Sequence, residues 1–226
     1  MRTPIVWSAG LLLFLAGVAP AAQGPELKSE DQKTFYALGL FLGQNLAGFT
    51  LTEAELELVK AGFTDSVLRR ERKVDQQAYA AKVQELQRTR TTAAAATEKK
   101  SSQVFVDKAA AEKGATKTTS GLIISTIKAG TGPSPKATDS VRVHYHGTFT
   151  DGTVFDSSRD RGEPTIFALN GVIPCFSEGI RTMKVGGKSR LVCPADLAYG
   201  DRGAPPRIKP GATLVFEVEL LEIVKQ

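Results

Sequence analysis

Two cysteines and two histidines in 226 residues leave little material for metal chemistry. A structural zinc site needs four nitrogen or sulfur ligands at short, characteristic spacings. Cys175 and Cys193 stand 18 positions apart, and no nearby residues complete a set of four. His144 and His146 are two apart, so on a strand they share one side and supply half a site at most. The chain also lacks a glycine-rich phosphate loop, a G-x-S-x-G elbow and an H-E-x-x-H helix. Ser157 and Ser158 follow Asp156 without a histidine placed by any motif to act as base, which leaves covalent catalysis unsupported. Neither a metal nor a cofactor is expected. Lys and Arg total 29 against 24 Asp and Glu, a mild excess spread along the chain. With no aromatic-basic alternation to form a stacking platform, nucleic acid is not an expected partner.

Long apolar runs are also scarce. The single candidate, Ile5 to Ala19, sits in a stretch without charge between Arg2 and Glu26. It is shorter than the roughly 20 residues of a spanning helix, and Ala19-Pro20-Ala21-Ala22 fits a small-residue cleavage site. Residues 1–22 are therefore expected to be a signal peptide, cleaved near Ala22. Neither cysteine lies near that point, which excludes lipid attachment there. Export makes a disulfide between Cys175 and Cys193 chemically permissible, and closing such a loop stabilises by about 3 kcal/mol on the chain-entropy model. Spacing alone does not separate that pairing from two buried free thiols.

Residues 29 to 114 read as helices. Ser29-x-x-Gln32 and Thr52-x-x-Glu55 both fit the capping box that opens a helix. Phe35, Leu38, Leu42, Leu46 and Phe49 recur at steps of three and four in a first helix, beside a small-residue row of Gly39, Gly43 and Ala47. Leu56, Val59, Phe63 and Val67 repeat the pattern in a second. Two such short helices, in a region spanning 23–74, make a core too small to stand alone. Homodimerisation through residues 27–70 is the expected way of burying their apolar faces. From Asp75, a good N-cap, to Lys113 the composition is rich in Ala, Gln, Glu, Lys and Arg, and Gly114 supplies a stop. A helix of that extent, roughly 57 Å long, is expected over 75–114 as a mostly solvated spacer, with a break around Thr89 to Thr97 as the alternative.

After Gly121 the period shifts from 3.6 to 2. Leu122 to Ile127, Val141 to Tyr145, Lys188 to Cys193 and Leu214 to Leu220 read as strands, with turns at Asp151-Gly152 and Gly186-Gly187. One short helical piece is expected near Ser177 to Met183. The fold class is α+β, with an antiparallel C-terminal domain over 115–226.

Seven blocks in that region follow in order: Val143-His144-Tyr145-His146-Gly147, Asp151-Gly152-x-x-Phe155-Asp156-Ser157-Ser158, Val172-Ile173-Pro174, Glu178-Gly179, Met183-x-x-Gly186, Leu197-Ala198-Tyr199-Gly200 and Ala212 to Leu220. Together they resemble the FKBP domain, over roughly residues 120 to 226. The arm before it resembles that of the Mip and FkpA group of exported, dimeric isomerases. The resemblance implies a half-wrapped antiparallel sheet around a short helix, with an apolar pocket lined by Tyr145, Phe155, Asp156, Arg161, Phe167, Val172, Ile173, Phe176, Tyr199, Ile208 and Phe216. It implies peptidyl-prolyl cis/trans isomerisation of X-Pro segments in unfolded or exported proteins. Tyr145, Phe155, Asp156 and Tyr199 are the implied catalytic residues, and the others bind substrate. It further implies rapamycin-like macrolide binding and a periplasmic or outer-membrane-associated location in a Gram-negative-type bacterium. Phe176 stands where the family usually has Trp at the pocket floor, Lys209 where a second Pro is usual, and Arg207 puts a charge in the overhanging loop. A holdase chaperone, with the helical arm as its main client site, is the rival expectation.

Overall fold

A computed structural model describes residues 26–224. The expected signal peptide lies outside the described residues. The chain divides into two units, one ending at Leu40 and one beginning at Phe41.

Helix α1 (Glu30–Gln44), which begins in the first unit and runs past its end, starts at its capping box. Ser29 Oγ accepts from the Gln32 N–H at 3.2 Å, and Gln32 Oε1 accepts from the Ser29 N–H at 3.1 Å. Two orphan donors of the first turn are thereby satisfied. The helix stops at Gln44, short of the expected Phe49, and Ala47–Phe49 form a 3-10 turn. Asn45 and Gly48 are weak helix formers, and the Asn45 and Leu46 N–H groups switch to bonds three residues back, at 3.2 and 2.9 Å.

Within the second unit, α2 (Glu53–Val67) opens at Thr52 with the expected capping box intact. No residue of α1 or α2 is buried, and Phe35 and Leu58 remain 72% and 75% exposed. Helix α3 (Gln76–Ala111) runs unbroken for 36 residues, about 54 Å, from an N-cap in which Asp75 accepts from the Gln77 N–H at 2.9 Å.

The expectation of a solvated spacer holds only in part, because α3 is tied down at its middle and towards its end. Near its middle, Arg90 donates to both Glu55 oxygens at 2.5 and 3.2 Å and to the Thr50 carbonyl at 3.1 Å. That pairing first, and then the capping bonds from Thr52, hold the Glu55 carboxyl down at about 2. Towards its end, Ala95, Ser102, Val106 and Ala109 are buried. Lys99 bonds Asp196 and Asp201 at 2.6 and 2.7 Å, and Arg190 bonds Glu112 at 2.9 Å. Gly211, at φ 74°, lets its loop touch the α3 backbone at Ala95, where any Cβ would collide with the Ala95 carbonyl. The contacts are made by small residues, so the helix shows no broad apolar stripe.

The sheet is antiparallel throughout, ordered β1-β2-β6-β7-β3-β4, with β5 also pairing β3. Its strands are β1 (Ala115–Lys117), β2 (Ile123–Lys128), β3 (Ser140–Phe149), β4 (Val154–Ser157), β5 (Thr165–Ala168), β6 (Lys188–Cys193) and β7 (Leu214–Val224). Strand β3 alternates between buried and partly exposed residues, as period 2 requires. The one α-helix beyond the arm among the described residues, α4 (Pro174–Arg181), begins three residues before the expected start because Pro174 suits the first helical position. It covers the inner face, burying Ile180 among Val141, Val143, Leu191 and Val218. The end of α3 covers the outer face, where Val106 and Ala109 pack on Ile123, Val192 and Val215. Cys175 on α4 and Cys193 at the end of β6 are wholly buried, with Cα atoms 5.7 Å apart and sulfurs bonded.

Candidate active site

Gly147 makes room for the site. It sits mid-strand in β3, paired on one side with Asp156 of β4 and on the other with Phe216 of β7. A Cβ at Gly147 would stand 2.7 Å from Phe155 Cζ, so only glycine lets that ring lie across the strand. Phe155 then meets Phe216 edge to face, with centroids 5.5 Å apart at 86°. From α4, Phe176 reaches Phe216 at 4.8 Å and Tyr145 at 5.9 Å, again near perpendicular. Phe167 of β5 closes the set, 5.8 Å from Phe176 and 5.6 Å from Tyr145. Such edge contacts fix ring orientations beyond what burial alone would do.

Among these rings lies a hollow of about 360 Å³, lined by Tyr145, Phe155, Asp156, Phe167, Gly171, Val172, Ile173, Phe176, Tyr199 and Phe216. Two larger hollows, of about 750 and 570 Å³, lie between α2 and the start of α3 and beside the loop 201–210. Size does not select among them; the smaller one is chosen because aromatic walls and a fixed carboxylate meet there.

That carboxylate belongs to a closed triangle. Tyr145 donates to Asp156 Oδ2 at 2.6 Å, Arg161 Nη1 donates to Asp156 Oδ1 at 2.5 Å, and Arg161 Nη2 donates to the Tyr145 hydroxyl oxygen at 2.9 Å. Partial burial pushes the Asp156 carboxyl up, but the bonds from Tyr145 and Arg161 and the cation's charge outweigh it, and the net displacement is downward. Burial first, then the bond to Asp156, pushes the Tyr145 hydroxyl up. Asp156 is thus a fixed anion and Tyr145 a neutral donor at neutral pH. Neither is poised to trade protons there.

Most of the predicted lining residues converge, with two exceptions. Arg161 stands beside Asp156 outside the lining, where it orients the carboxylate. Ile208 is only 5% exposed and belongs to the core, held by paired backbone bonds with Ala204 at 2.9 and 3.0 Å that close the overhanging loop. Sequence reasoning missed Gly171. Tyr199, on a short connection between 3-10 turns, is 40% exposed. Ile173 is the N-cap of α4 and caps it with no side-chain bond. Its carbonyl accepts from the Phe176 and Ser177 N–H groups at 3.0 and 3.2 Å, while its own N–H meets no backbone acceptor among the described residues. His144 and His146 engage Ser158 and Ser157, at 3.2 and 3.0 Å, from the face of β3 opposite Tyr145.

The sequence pattern described as FKBP-type peptidyl-prolyl cis-trans isomerase matches residues 132–221, and the one described as the domain amino terminal to it matches 31–124. An FKBP-type peptidyl-prolyl cis-trans isomerase named FkpA, from Aeromonas hydrophila, is 40% identical over 224 residues, covering 93% of this chain and 83% of that protein. The chain belongs to the FKBP-type peptidyl-prolyl cis-trans isomerase family. An FKBP-type 22 kDa isomerase of Escherichia coli is 41% identical over 88% of this chain and 98% of its own. The crystal structure of FkpA from Escherichia coli superposes with a TM-score of 0.62 at 38% identity, covering 88% of this chain and 98% of that one. An isomerase structure from Pseudomonas syringae pv. tomato covers 57% of this chain and 95% of its own, with a TM-score of 0.54 at 36% identity. Gly147 and Gly171 are the features of the site that patterning alone undervalued. A glycine interrupting a strand marks a close approach, and that signal was present at Gly147.

Proposed function

We propose that the hollow among Tyr145, Phe155, Phe176 and Phe216 is where this FKBP-type isomerase rotates X-Pro bonds of exported polypeptides. Rotating an amide costs about 18 to 20 kcal/mol because resonance must be broken, and X-Pro bonds consequently turn over tens of seconds. No bond to carbon has to form. The planar amide is the more charge-separated form, so a water-poor pocket disfavours it relative to the twisted one. The prolyl ring packs on Phe176 between Phe155 and Phe216. The Ile173 N–H and the Tyr199 hydroxyl hold substrate carbonyls, and the Asp156 anion, fixed by Tyr145 and Arg161, faces the turning amide. A thousandfold acceleration needs only about 4 kcal/mol of differential stabilisation.

The aromatic cluster with an oriented carboxylate in its wall carries this reading. A protease-coupled proline-peptide assay on the mature chain tests it. Turnover is expected for the wild type, reduced in Asp156→Ala and Tyr199→Phe, and absence of wild-type turnover overturns it. Rapamycin-like macrolides fill the same hollow and compete with peptide.

The arm makes the protein a homodimer through residues 27–70. The wet apolar faces of α1 and α2 support this, as does the match of the amino-terminal domain. A monomer in sedimentation at micromolar concentration overturns it. A periplasmic location fits the apolar leader and the paired cysteines, and no helix among the described residues is long and apolar enough to cross a membrane. A holdase with its main client site in the arm is not favoured, since the relatives above are named as isomerases.

A further inference from the structure

We propose that the Cys175–Cys193 disulfide is a brace for the isomerase site, holding the first turn of α4, and with it Ile173 and Phe176, in register with β6. The inference rests on the hollow being the reaction site, and it names the two cysteines as positioning residues.

Cys175 stands between the residue whose N–H faces substrate and the residue that forms the floor. Its partner, Cys193, ends β6 with its Cα 5.7 Å away. A second fixed point lies one turn along, where Gly179 lies so close to Leu191 that a Cβ would come within 2.6 Å of Leu191 Cδ1. Four helical residues advance about 6 Å, and two strand residues about 6.6 Å. The Cys175 to Gly179 and Cys193 to Leu191 steps therefore match, and α4 lies antiparallel to β6, pinned at two points. With one point removed, the helix can pivot about the other.

Helix α4 needs such help. It has eight residues, too few to persist without tertiary contacts. Its N-cap is Ile173, which offers no side-chain acceptor, so Pro174 at the first helical position is the one local feature that holds that end. Fraying there would move Ile173 and Phe176, and a misplacement of about 1 Å can cost up to about a hundredfold in rate. Both cysteines are wholly buried, so a reductant does not reach the bond in the folded protein. The disulfide therefore acts as a permanent brace and not as a redox switch.

The test compares the mature wild type with Cys175→Ala/Cys193→Ala, at a temperature where circular dichroism shows both folded. The variant is expected to lose about tenfold in kcat/KM, equivalent to about 1.4 kcal/mol. The loss should fall mainly in kcat, because an apolar floor still receives the prolyl ring while the wall that favours the twisted amide is displaced. Hydrogen exchange read by mass spectrometry should quicken over 170–177 by clearly more than over β3, where any rise should not exceed what the global loss of stability requires. Activity within about twofold of wild type, or unchanged exchange over 170–177, overturns the brace. A uniform rise in exchange across the sheet also overturns it, since the bond would then serve stability alone.

If the variant does not fold, the wild type itself decides. Refolded in reductant, it should show the same losses. Refolded with oxidised glutathione, which takes up the two thiol hydrogens and leaves as two glutathione thiols, it should recover. Equal activity of the two preparations overturns the proposal. If the oxidised wild type shows no turnover, the reading of the hollow fails, while the exchange measurement still judges the brace.

Discussion

The arm helices and the sheet domain of this FKBP-type isomerase are folded by different means. Helices α1 and α2 carry capping boxes and good helix formers but bury no residue. The sheet domain has weak local signals for several of its strands but buries Leu122, Leu191, Leu214 and Leu220 completely. Local chemistry can say where a helix starts; it cannot cover an apolar face. The arm leaves its apolar faces wet, whereas the sheet completes itself with α4 on one face and the end of α3 on the other.

The sharpest way to break this contrast is a cavity in each region. Leu191→Ala should cost about 2 to 5 kcal/mol, measured by denaturant unfolding of the sheet domain. Phe35→Ser should leave that transition in place and shift sedimentation towards monomer. Equal destabilisation of the sheet by both would erase the distinction. Next in size, removing the disulfide by Cys175→Ala/Cys193→Ala should lower stability by about 3 kcal/mol in the same measurement, with no effect on sedimentation.

A smaller effect separates the hollow from its support. Asp156 has its carboxyl pKa lowered in the folded protein, so its contribution is present above the ordinary carboxylate value and is lost as pH falls through the lower, folded one. Arg161→Met should raise that folded value and reduce kcat/KM, so that the acid loss of activity begins at higher pH. A pH-rate profile unmoved by the substitution would show that Arg161 does not hold the anion. The smallest effect is expected on the arm, where Arg90→Ala frees Glu55. Amide exchange should quicken in the first turn of α2 and nowhere in the sheet, and the Glu55 carboxyl should rise from about 2 towards its ordinary value.

Much of the fold was legible because its signals are local and periodic. The two capping boxes, the Asp75 cap, the alternation of β3 and the glycine turns are properties of a few neighbouring residues. Strands β1, β4 and β5 were harder to see, because three or four residues carry too little period and their place is set by a longer partner. The docking of α3 was also hidden, since three of its four buried residues, Ala95, Ser102 and Ala109, are small, Val106 is the fourth, and the hydropathy pattern registers mainly large side chains. Its counterpart left a trace in the sheet, where Leu191-Val192-Cys193 and Leu214-Val215-Phe216 run apolar without alternation because both faces are covered there. Ile208, which the resemblance placed in the lining, is not among the residues that line the hollow, and its side chain packs in the same core cluster as Tyr145, Phe176 and Phe216.

Sequence by itself determined where the helices begin and which residues alternate, since each depends on residue type and short spacing, and its seven ordered blocks carried the resemblance to the FKBP domain. Tertiary structure alone decided that Gly147 admits the Phe155 ring, that Tyr145, Asp156 and Arg161 close a triangle, and that α4 is pinned to β6 at Cys193 and Leu191. Those arrangements join residues far apart in the chain through distances of a few ångströms, and such distances exist only once the sheet has brought its strands together.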